Sequence, residues 1–397
     1  MLGPRATRAG TGASAGPCPG TVGGRAPDTF GGIAAAVDAF LADHLRTRLE
    51  EARQVDAVFA GEVASRVATF VLHGGKRLRT AFVRCGWLAA GGSDDPGTPL
   101  RVGAALELLQ ACALVHDDVM DGSPVRRGAP AVHAQFARLH REGRMHGSAT
   151  SYSATAAVLA GDLALVWADD LLTGTALGSP YGGQLHQEWQ AMRGEMVAGQ
   201  YLDMRAQATG SSDEAQARKI ATLKSALYTV ERPLALGASL AGADALAMDA
   251  LRSAGRCAGL AFQLHDDLLG AFGDPAVTGK PADEDLRTRK LTGLLAAALR
   301  LAEESGDTEA LAVLGPEATD TGPEGPEAGE GVAGRMRAAL ERTGARRVVE
   351  EEIACLSASS LRHFADAGAD ERAMAEFAAL VARAAGTAAS YPGGEGA

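Results

Sequence analysis

Aromatic residues are scarce in this chain, at 5% of 397 residues, and alanine and leucine dominate its apolar set. That mixture favours helix over strand, because Ala and Leu lose little side-chain entropy in a helix. Basic charge is also short: 38 Lys and Arg against 49 Asp and Glu leave a net charge of −11. A protein that tracks nucleic-acid phosphates needs the opposite excess, so nucleic acid is excluded as a partner. The five cysteines (Cys18, Cys85, Cys112, Cys257, Cys355) lie far apart with no CxxC pair. They read as buried small hydrophobes in a reducing cytoplasm, not as a disulfide frame or zinc site. No run of about 18 apolar residues occurs, so no transmembrane span is expected; "TAAVLAGDLALVW" comes nearest, and Asp162 interrupts it. The opening "MLGPRATRAGTGASAGPCPGTVGGRAP" lacks a signal peptide's apolar centre and is too rich in Gly and Pro for a targeting helix. Residues 1–31 are expected to be a disordered extension.

Helical periodicity begins near Ile33 and continues through Val37, Phe40, Leu41, Leu45 and Leu49. Similar patterns cover Val58–Leu72, Thr80–Ala90, Leu100–Asp121, Ala156–Leu172, His186–Gln207, Ala215–Gly242, Ala247–Gly273, Lys290–Glu304, Arg335–Ala367 and Glu371–Ala385. No sustained two-residue alternation appears, so the expected fold is all-α, one large bundle in a single domain over 32–385. Two polar stretches are expected to be flexible insertions: 138–153, "RLHREGRMHGSATSYS", and 315–334, rich in Gly, Pro and Glu. The tail 386–397 is expected to be disordered.

Against this ordinary background stands "LLQACALVHDDVMDGSPVRRG" (108–128), with three aspartates at what reads as a helix end. Asp117 and Asp121 are four residues apart and share one helix face, with Gln110 two turns, about 10 Å, up that face. Asp118 points about 100° away. Gly122 and Pro124 mark the C-terminus, where the helix dipole disfavours carboxylates. The design recurs in "FQLHDDLLGAFGDPAVTGK" (262–280), where Gln263, Asp266 and Asp267 lie within about one turn and Asp274 precedes Pro275. Two such ends brought together would repel unless divalent cations lay between them. Oxygen ligands without His or Cys suit Mg²⁺, which takes one or two carboxylates and leaves its other positions to water and phosphate. One acidic motif alone fits a solvated helix end equally well; two, each with Gln upstream and basic residues downstream, do not.

The basic residues are Lys76, Arg77 and Arg79 in "HGGKRLRT", Arg126 and Arg127 after the first motif, then Lys224, Lys280, Arg289 and Lys290. Beside acidic clusters they point to diphosphate recognition, Arg as a fork and Lys as a point charge.

With "GGKRLR", "DDVMDGSPVRRG", "GDLAL", "GQYLDM", "KSALYTVERPLALGA" and "FQLHDDLLGAFGDPAVTGKPADEDL", the chain from about Phe70 to Thr292 resembles the trans-isoprenyl diphosphate synthases, the polyprenyl synthetase family. The resemblance implies a helical bundle, commonly a homodimer, with two facing aspartate motifs at the mouth of a deep cavity. It implies a catalytic set of Asp117, Asp118, Asp121, Asp266, Asp267, Lys224, Ser225 and Gln263. Three Mg²⁺ would be held by Asp117, Asp121 and Asp266, with Asp118 in support. The allylic diphosphate would rest on Arg126, Gln200, Asp203, Lys224, Gln263, Lys280 and Lys290. Isopentenyl diphosphate would rest on Lys76, Arg79, Gln110 and Arg127. Two departures stand out: Ser225 where the family usually has Thr, and Gly270 where many members carry a third aspartate. Cys112 and Ala113, five and four residues before Asp117, occupy positions where short-chain relatives carry bulky aromatics. A product longer than farnesyl, geranylgeranyl diphosphate, is therefore expected, with Leu108, Leu109, Phe70 or a residue of 156–172 as alternative floors of the cavity. His116 and His265 are read as packing residues, and Trp87, Trp167 and Trp189 as core. A class I terpene cyclase would carry an Asn/Ser/Glu-type second motif and many aromatics. A noncatalytic subunit would have lost aspartates or cations.

Overall fold

The computed structural model describes residues 30–93, 96–273, 284–315 and 326–387. Helix α1 (Phe30–Val55) is followed by α2 (Ala57–Phe59), which passes through a π-helical turn (Ala60–Ala64) into α3 (Ser65–Leu72). Then come α4 (Leu78–Ala89), α5 (Gly97–Met120), a minimal hairpin of β1 (Val125–Arg126) and β2 (Ala129–Pro130), α6 (Val132–Glu142), α7 (Ala149–Leu177) and α8 (Gly182–Thr209). Helix α9 (Glu214–Ala221), a π-helical segment (Thr222–Glu231) and α10 (Arg232–Leu240) form one continuous rod, followed by α11 (Ala245–Phe272). The remainder is α12 (Glu284–Arg287), α13 (Gly293–Ser305), α14 (Thr308–Leu314), α15 (Pro326–Arg342), α16 (Ala345–Asp366) and α17 (Glu371–Ala384). The fold is all-α, as expected; among the described residues the only ladder is the antiparallel pairing of Val125 with Pro130 and Arg126 with Ala129.

Helix α5 is the central rod. Leu106, Leu108 and Leu109 are fully buried on successive faces, the mark of a helix surrounded by others. It is long and apolar enough to cross a membrane by composition, and packing against α1, α3, α4, α7 and α10 accounts for that character. Helix α7 meets it through a face of small residues, Ala157, Ala160, Gly161, Ala164 and Ala168. A Cβ on Gly161 would lie 2.2 Å from Nε2 of His116, so glycine is what admits that ring between the helices. His116 is thus a packing residue, its Nε2 3.1 Å from the carbonyl of Val158.

The π-helical segment lies between α8 and α11, and two glycines bring the neighbours close. A Cβ on Gly199 (α8) would fall 2.7 Å from the backbone nitrogen of Lys224, and one on Gly259 (α11) 2.5 Å from Cα of Ala226. A π-helical turn is rare and is found mostly at functional sites; here it carries Lys224 at its start.

Several sequence expectations need correction. The stretch 138–153 is not one loop: α6 runs to Glu142 and α7 starts at Ala149, leaving 143–148 as the connection. The apolar stripe of α6 is short (Val132, Phe136 and His140 are buried), and most of it precedes the polar stretch. Ser148 caps α7 by accepting from the backbone N–H of Ser151. Likewise 326–334 belongs to α15, where Ala333, Met336, Ala339 and Leu340 are buried behind a Gly- and Glu-rich first turn; 316–325 lies outside the described residues. The expected helix 335–367 is two helices broken at Gly344, whose φ is +77°. Helix α1 begins at Phe30, two residues inside the expected extension, whose residues 1–29 lie outside the described ones, as do 388–397 of the tail. The three tryptophans are buried. Cys85 and Cys112 are buried, but Cys257 is half-buried and Cys355 exposed, so burial does not describe all the cysteines. Cys18 lies outside the described residues.

Helices α4 and α10 touch backbone to backbone at Gly86 and Gly237, where an added Cβ would lie 2.0 Å and 1.9 Å from the carbonyl oxygens of Leu234 and Val83. Gly237→Ala forces the two rods apart and is expected to cost about 2 kcal/mol or more. Scanning calorimetry should show a lowered unfolding midpoint; an unchanged midpoint would refute this contact.

Candidate active site

Helix α5 ends at Asp121, and Gly122 (φ +67°) turns the chain into the hairpin that returns Arg126 beneath the acidic end. The Nε of Arg126 donates to Oδ1 of Asp118 at 2.7 Å, and its terminal nitrogen lies 3.5 Å from Oδ2 of Asp117. Asp118 is fully buried, so it points away from solvent and orients Arg126. Burial pushes the Asp118 carboxyl up, against the opposing pull of Arg126. Asp117 is held from the other side: Gln200 Nε2 and Lys224 Nζ donate to its Oδ1 at 2.9 and 3.1 Å. Burial would raise its pKa, but Lys224, Lys290 and Arg126 outweigh that and hold it below the usual carboxylate range. Asp121, exposed at the rim, is pushed up by desolvation and by its neighbour Asp117.

Asp203 is the buried anion that gathers the lysines. Its Oδ2 accepts from Lys224 Nζ at 2.7 Å and lies 3.4 Å from Lys290 Nζ. Burial works against the Lys290 ammonium, yet Asp203, Asp285, Asp121 and Asp117 together keep its pKa above the ordinary lysine value. Lys290 is therefore within electrostatic reach of the α5 acidic end and of Asp285, which lies beside α11. Protein cations and an amide thus also neutralise Asp117, beside the divalent cations expected between the acidic ends.

On α11 the aspartate pair splits its tasks. Asp267 is buried and accepts from Gln263 Nε2 at 2.7 Å and from the backbone N–H of Gly293 at 2.9 Å, tying α11 to the start of α13. Burial, with the Asp266 and Asp285 charges adding, pushes its pKa up to about 7 despite the Gln263 bond. Asp266 is the half-buried member. At Gly270 a Cβ would lie 2.8 Å from Oδ2 of Asp285, so a carboxylate from α12 stands beside that position of the second motif. Asp274 and Lys280 lie outside the described residues.

The remaining cations form a second cluster close to Arg126. Lys76 is exposed; Arg79 donates to Oγ1 of Thr229 at 3.1 Å and stacks 4.4 Å above the Tyr228 ring. Arg127 donates to the carbonyl of Gly74 and lies 5.6 Å from the Phe70 ring, which places Phe70 beside this cluster. Side-chain atoms of Gln110, Arg79, Tyr228 and Glu107 (Oε1, Nε, Oη and Oε1) are buried there without a partner. Such atoms are costly unless a ligand or water meets them. Desolvation lowers the His265 pKa, and Lys76 adds to that effect, so the Gly74–Arg77 loop faces the α11 end.

Cys112 is buried, its Sγ 3.8 Å from Nδ1 of His116; burial and Asp162 push its thiol up to about 12. Ala113 is half-buried. The buried Tyr228 phenol, raised mainly by desolvation, feels both Cys112 and Arg79. Ser225 lies next to Lys224, half-buried. Three residues beside these groups were not singled out from the sequence: Glu107 and Tyr228 near the second cluster, and Asp285 near α11. The signal for the first was its place three residues before Gln110, and for the second its place four residues after Lys224. Asp285 lies inside the segment that ends "PADEDL", but nothing in that local sequence says that α12 would set it beside Gly270 of α11.

Comparison with known proteins identifies the family. The polyprenyl synthetase family profile matches residues 62–323. A geranylfarnesyl diphosphate synthase of Aeropyrum pernix is 31% identical over 253 residues, covering 62% of this chain and 72% of that protein. A geranylgeranyl diphosphate synthase of Mycobacterium tuberculosis is 35% identical over 240 residues, covering 58% and 60%. The crystal structure of a geranylgeranyl pyrophosphate synthase from Corynebacterium glutamicum, complexed with isoprenyl diphosphate and magnesium, superposes with a TM-score of 0.80 at 36% identity, covering 89% of this chain and 99% of that one. The chain belongs to the polyprenyl synthetase family.

Proposed function

We propose that this protein is a trans-prenyltransferase that condenses isopentenyl diphosphate with dimethylallyl, geranyl and farnesyl diphosphates, ending at geranylgeranyl diphosphate. The observation that carries this reading is the cluster of Lys224, Lys290 and Arg126 set among Asp117, Asp121 and Asp203 at the end of α5. Those cations stand where negative charge grows as a diphosphate departs.

The donor set fits Mg²⁺. Asp117, Asp121 and Asp266 offer only carboxylate oxygens, and Asp203 keeps a buried oxygen without a partner. Among the described residues no group of three or more His, Cys, Asp or Glu could hold an ion unaided. Magnesium takes one or two carboxylates and fills its other positions with water and phosphate oxygen, so a protein-only cage is not required of it. We assign metal contact to Asp117, Asp121 and Asp266 and three ions to the loaded site. When bound, magnesium would neutralise the leaving diphosphate and so ease its departure.

The allylic C–O bond breaks heterolytically and its electron pair leaves with the diphosphate, which Arg126, Lys224 and Lys290 hold, with Lys280 assigned to the same group. Gln200 and Asp203 position this set. The resulting allylic cation faces the backbone carbonyl of Lys224, the Ser225 hydroxyl and Gln263. Because the Gln263 amide nitrogen is committed to Asp267, its Oε1 is the end left to meet positive charge. Lys76, Arg79, Gln110 and Arg127 seat isopentenyl diphosphate, whose double bond attacks C1 of the cation to form the new C–C bond. Loss of a C2 proton to the released diphosphate restores a double bond. Water must stay out, or it would quench the cation. Exposed Val158, Leu159 and Val166 on α7 support a homodimer formed through that face.

Incubation with Mg²⁺, labelled isopentenyl diphosphate and each allylic primer should yield a C20 product; a terminal product of C15, or one longer than C20, would revise the length. Asp117→Ala and Asp266→Ala are each expected to lower kcat at least about a hundredfold with the helical circular-dichroism spectrum retained. Undiminished turnover in either would remove the metal assignment. Cys112→Phe should shorten the product by an isoprene unit, and an unaltered product distribution would show that the tail does not pass Cys112. Gly270→Asp sets a like charge against the Asp285 carboxylate, whose Oδ2 lies 2.8 Å from the position of the new Cβ, and should reduce activity; a gain in rate would count against that repulsion.

A further inference from the structure

Arg77 lies between two residues assigned to isopentenyl diphosphate, Lys76 and Arg79, yet it cannot reach a diphosphate itself. Its side chain is 2% exposed and its donors are spent inward. Nε donates to Oδ1 of Asp38 on α1 at 2.8 Å, one terminal nitrogen to Oε2 of Glu107 on α5 at 2.7 Å, and the other to the carbonyl of Val71 on α3 at 2.9 Å. Its backbone is left-handed, with φ +47° and ψ +30°, at the residue that caps the start of α4. A residue with a Cβ adopts that conformation only when its surroundings over-determine it, and three anchors on three helices do so here.

Glu107 is the other half of the device. Its side chain is 4% exposed and it lies three residues before Gln110 on α5. Desolvation lowers the Arg127 pKa, and Arg77, Arg126 and Arg79 lower it further, while Glu107 is the group that opposes them. One buried carboxylate thus moderates the mutual repulsion of several guanidiniums. Arg127, also left-handed at φ +53°, reaches back to the Gly74 carbonyl, so the Gly74–Arg77 loop and the hairpin are joined at this point.

We propose that the buried Arg77–Glu107 ion pair is the positioning brace of the isopentenyl diphosphate subsite, setting the turn that aims Lys76 and Arg79 and keeping Arg127 beside them. This rests on the assignment of that subsite to Lys76, Arg79, Gln110 and Arg127. Removing either partner leaves a buried charge uncompensated and releases the turn, so the loss falls on isopentenyl diphosphate more than on the allylic substrate held at the far cluster.

The test uses the full-length protein with Mg²⁺, varying each substrate at saturating concentration of the other. Glu107→Gln and the milder Arg77→Lys are expected to raise KM for isopentenyl diphosphate about tenfold or more, with smaller changes in kcat and in KM for farnesyl diphosphate. Arg77→Gly, which relieves the left-handed backbone but removes the fork, should show the same rise, and the double variant Arg77→Gly/Glu107→Gln should be no worse than the worse single one. Assays are run below each variant's unfolding midpoint; if Glu107→Gln does not fold, Arg77→Lys carries the test. Unchanged KM for isopentenyl diphosphate in folded Arg77→Lys, or equal losses toward both substrates, overturns the brace. Lys76→Ala separates the two levels of the argument. A rise in its KM for isopentenyl diphosphate alongside inert brace variants sinks the brace alone, whereas no rise sinks the subsite assignment itself.

Discussion

The structure depends on one electrostatic accommodation: Asp203, almost wholly buried, holds Lys224 and Lys290 beside the carboxylates that end α5. A helix C-terminus already carries partial negative charge, so aspartates there are unstable without compensation. The chain supplies that compensation from three directions, with Lys224 on the π-helical segment, Lys290 just before α13, and Arg126 on the hairpin. A buried ion pair contributes little net stability after desolvation is counted, but losing one partner is costly. The cluster is therefore an arrangement whose charges hold one another in place rather than a source of stability.

Placing Lys224 there requires close backbone approach. Gly199 and Gly259 admit the π-helical segment between α8 and α11, where Lys224 reaches Asp117 and Asp203. The same economy recurs where Gly161 admits His116 and where Gly86 and Gly237 let α4 touch α10. With few aromatics to fill wide gaps, the bundle closes by bringing rods together over alanine and glycine.

The two aspartate motifs look alike in sequence but are unequal in space. In the first, Asp117 faces the cations while Asp118 turns inward to Arg126. In the second, Asp267 turns inward to bond Gln263 and the Gly293 backbone, leaving Asp266 as the less buried member. In each pair one carboxylate is buried and ties a partner in place, while the other is less enclosed. The carboxylate absent at 270 has a neighbour in Asp285, from a helix of its own.

What the sequence by itself determined was local: helical periodicity, the acid-tipped ends of α5 and α11, and the residues whose spacing put them on one face, such as Gln110 with Asp117 and Asp121. Those signals repeat every three or four residues and need no knowledge of the rest of the chain. Helices 132–142 and 326–342 were partly hidden because their buried stripes are short and diluted by polar neighbours. Only the tertiary structure decided which cation meets which carboxylate, and that Asp285, Tyr228 and Glu107 stand beside these groups. Long-range pairing depends on how the rods cross, and that is settled by where glycine and alanine let backbones meet, not by any one segment's pattern.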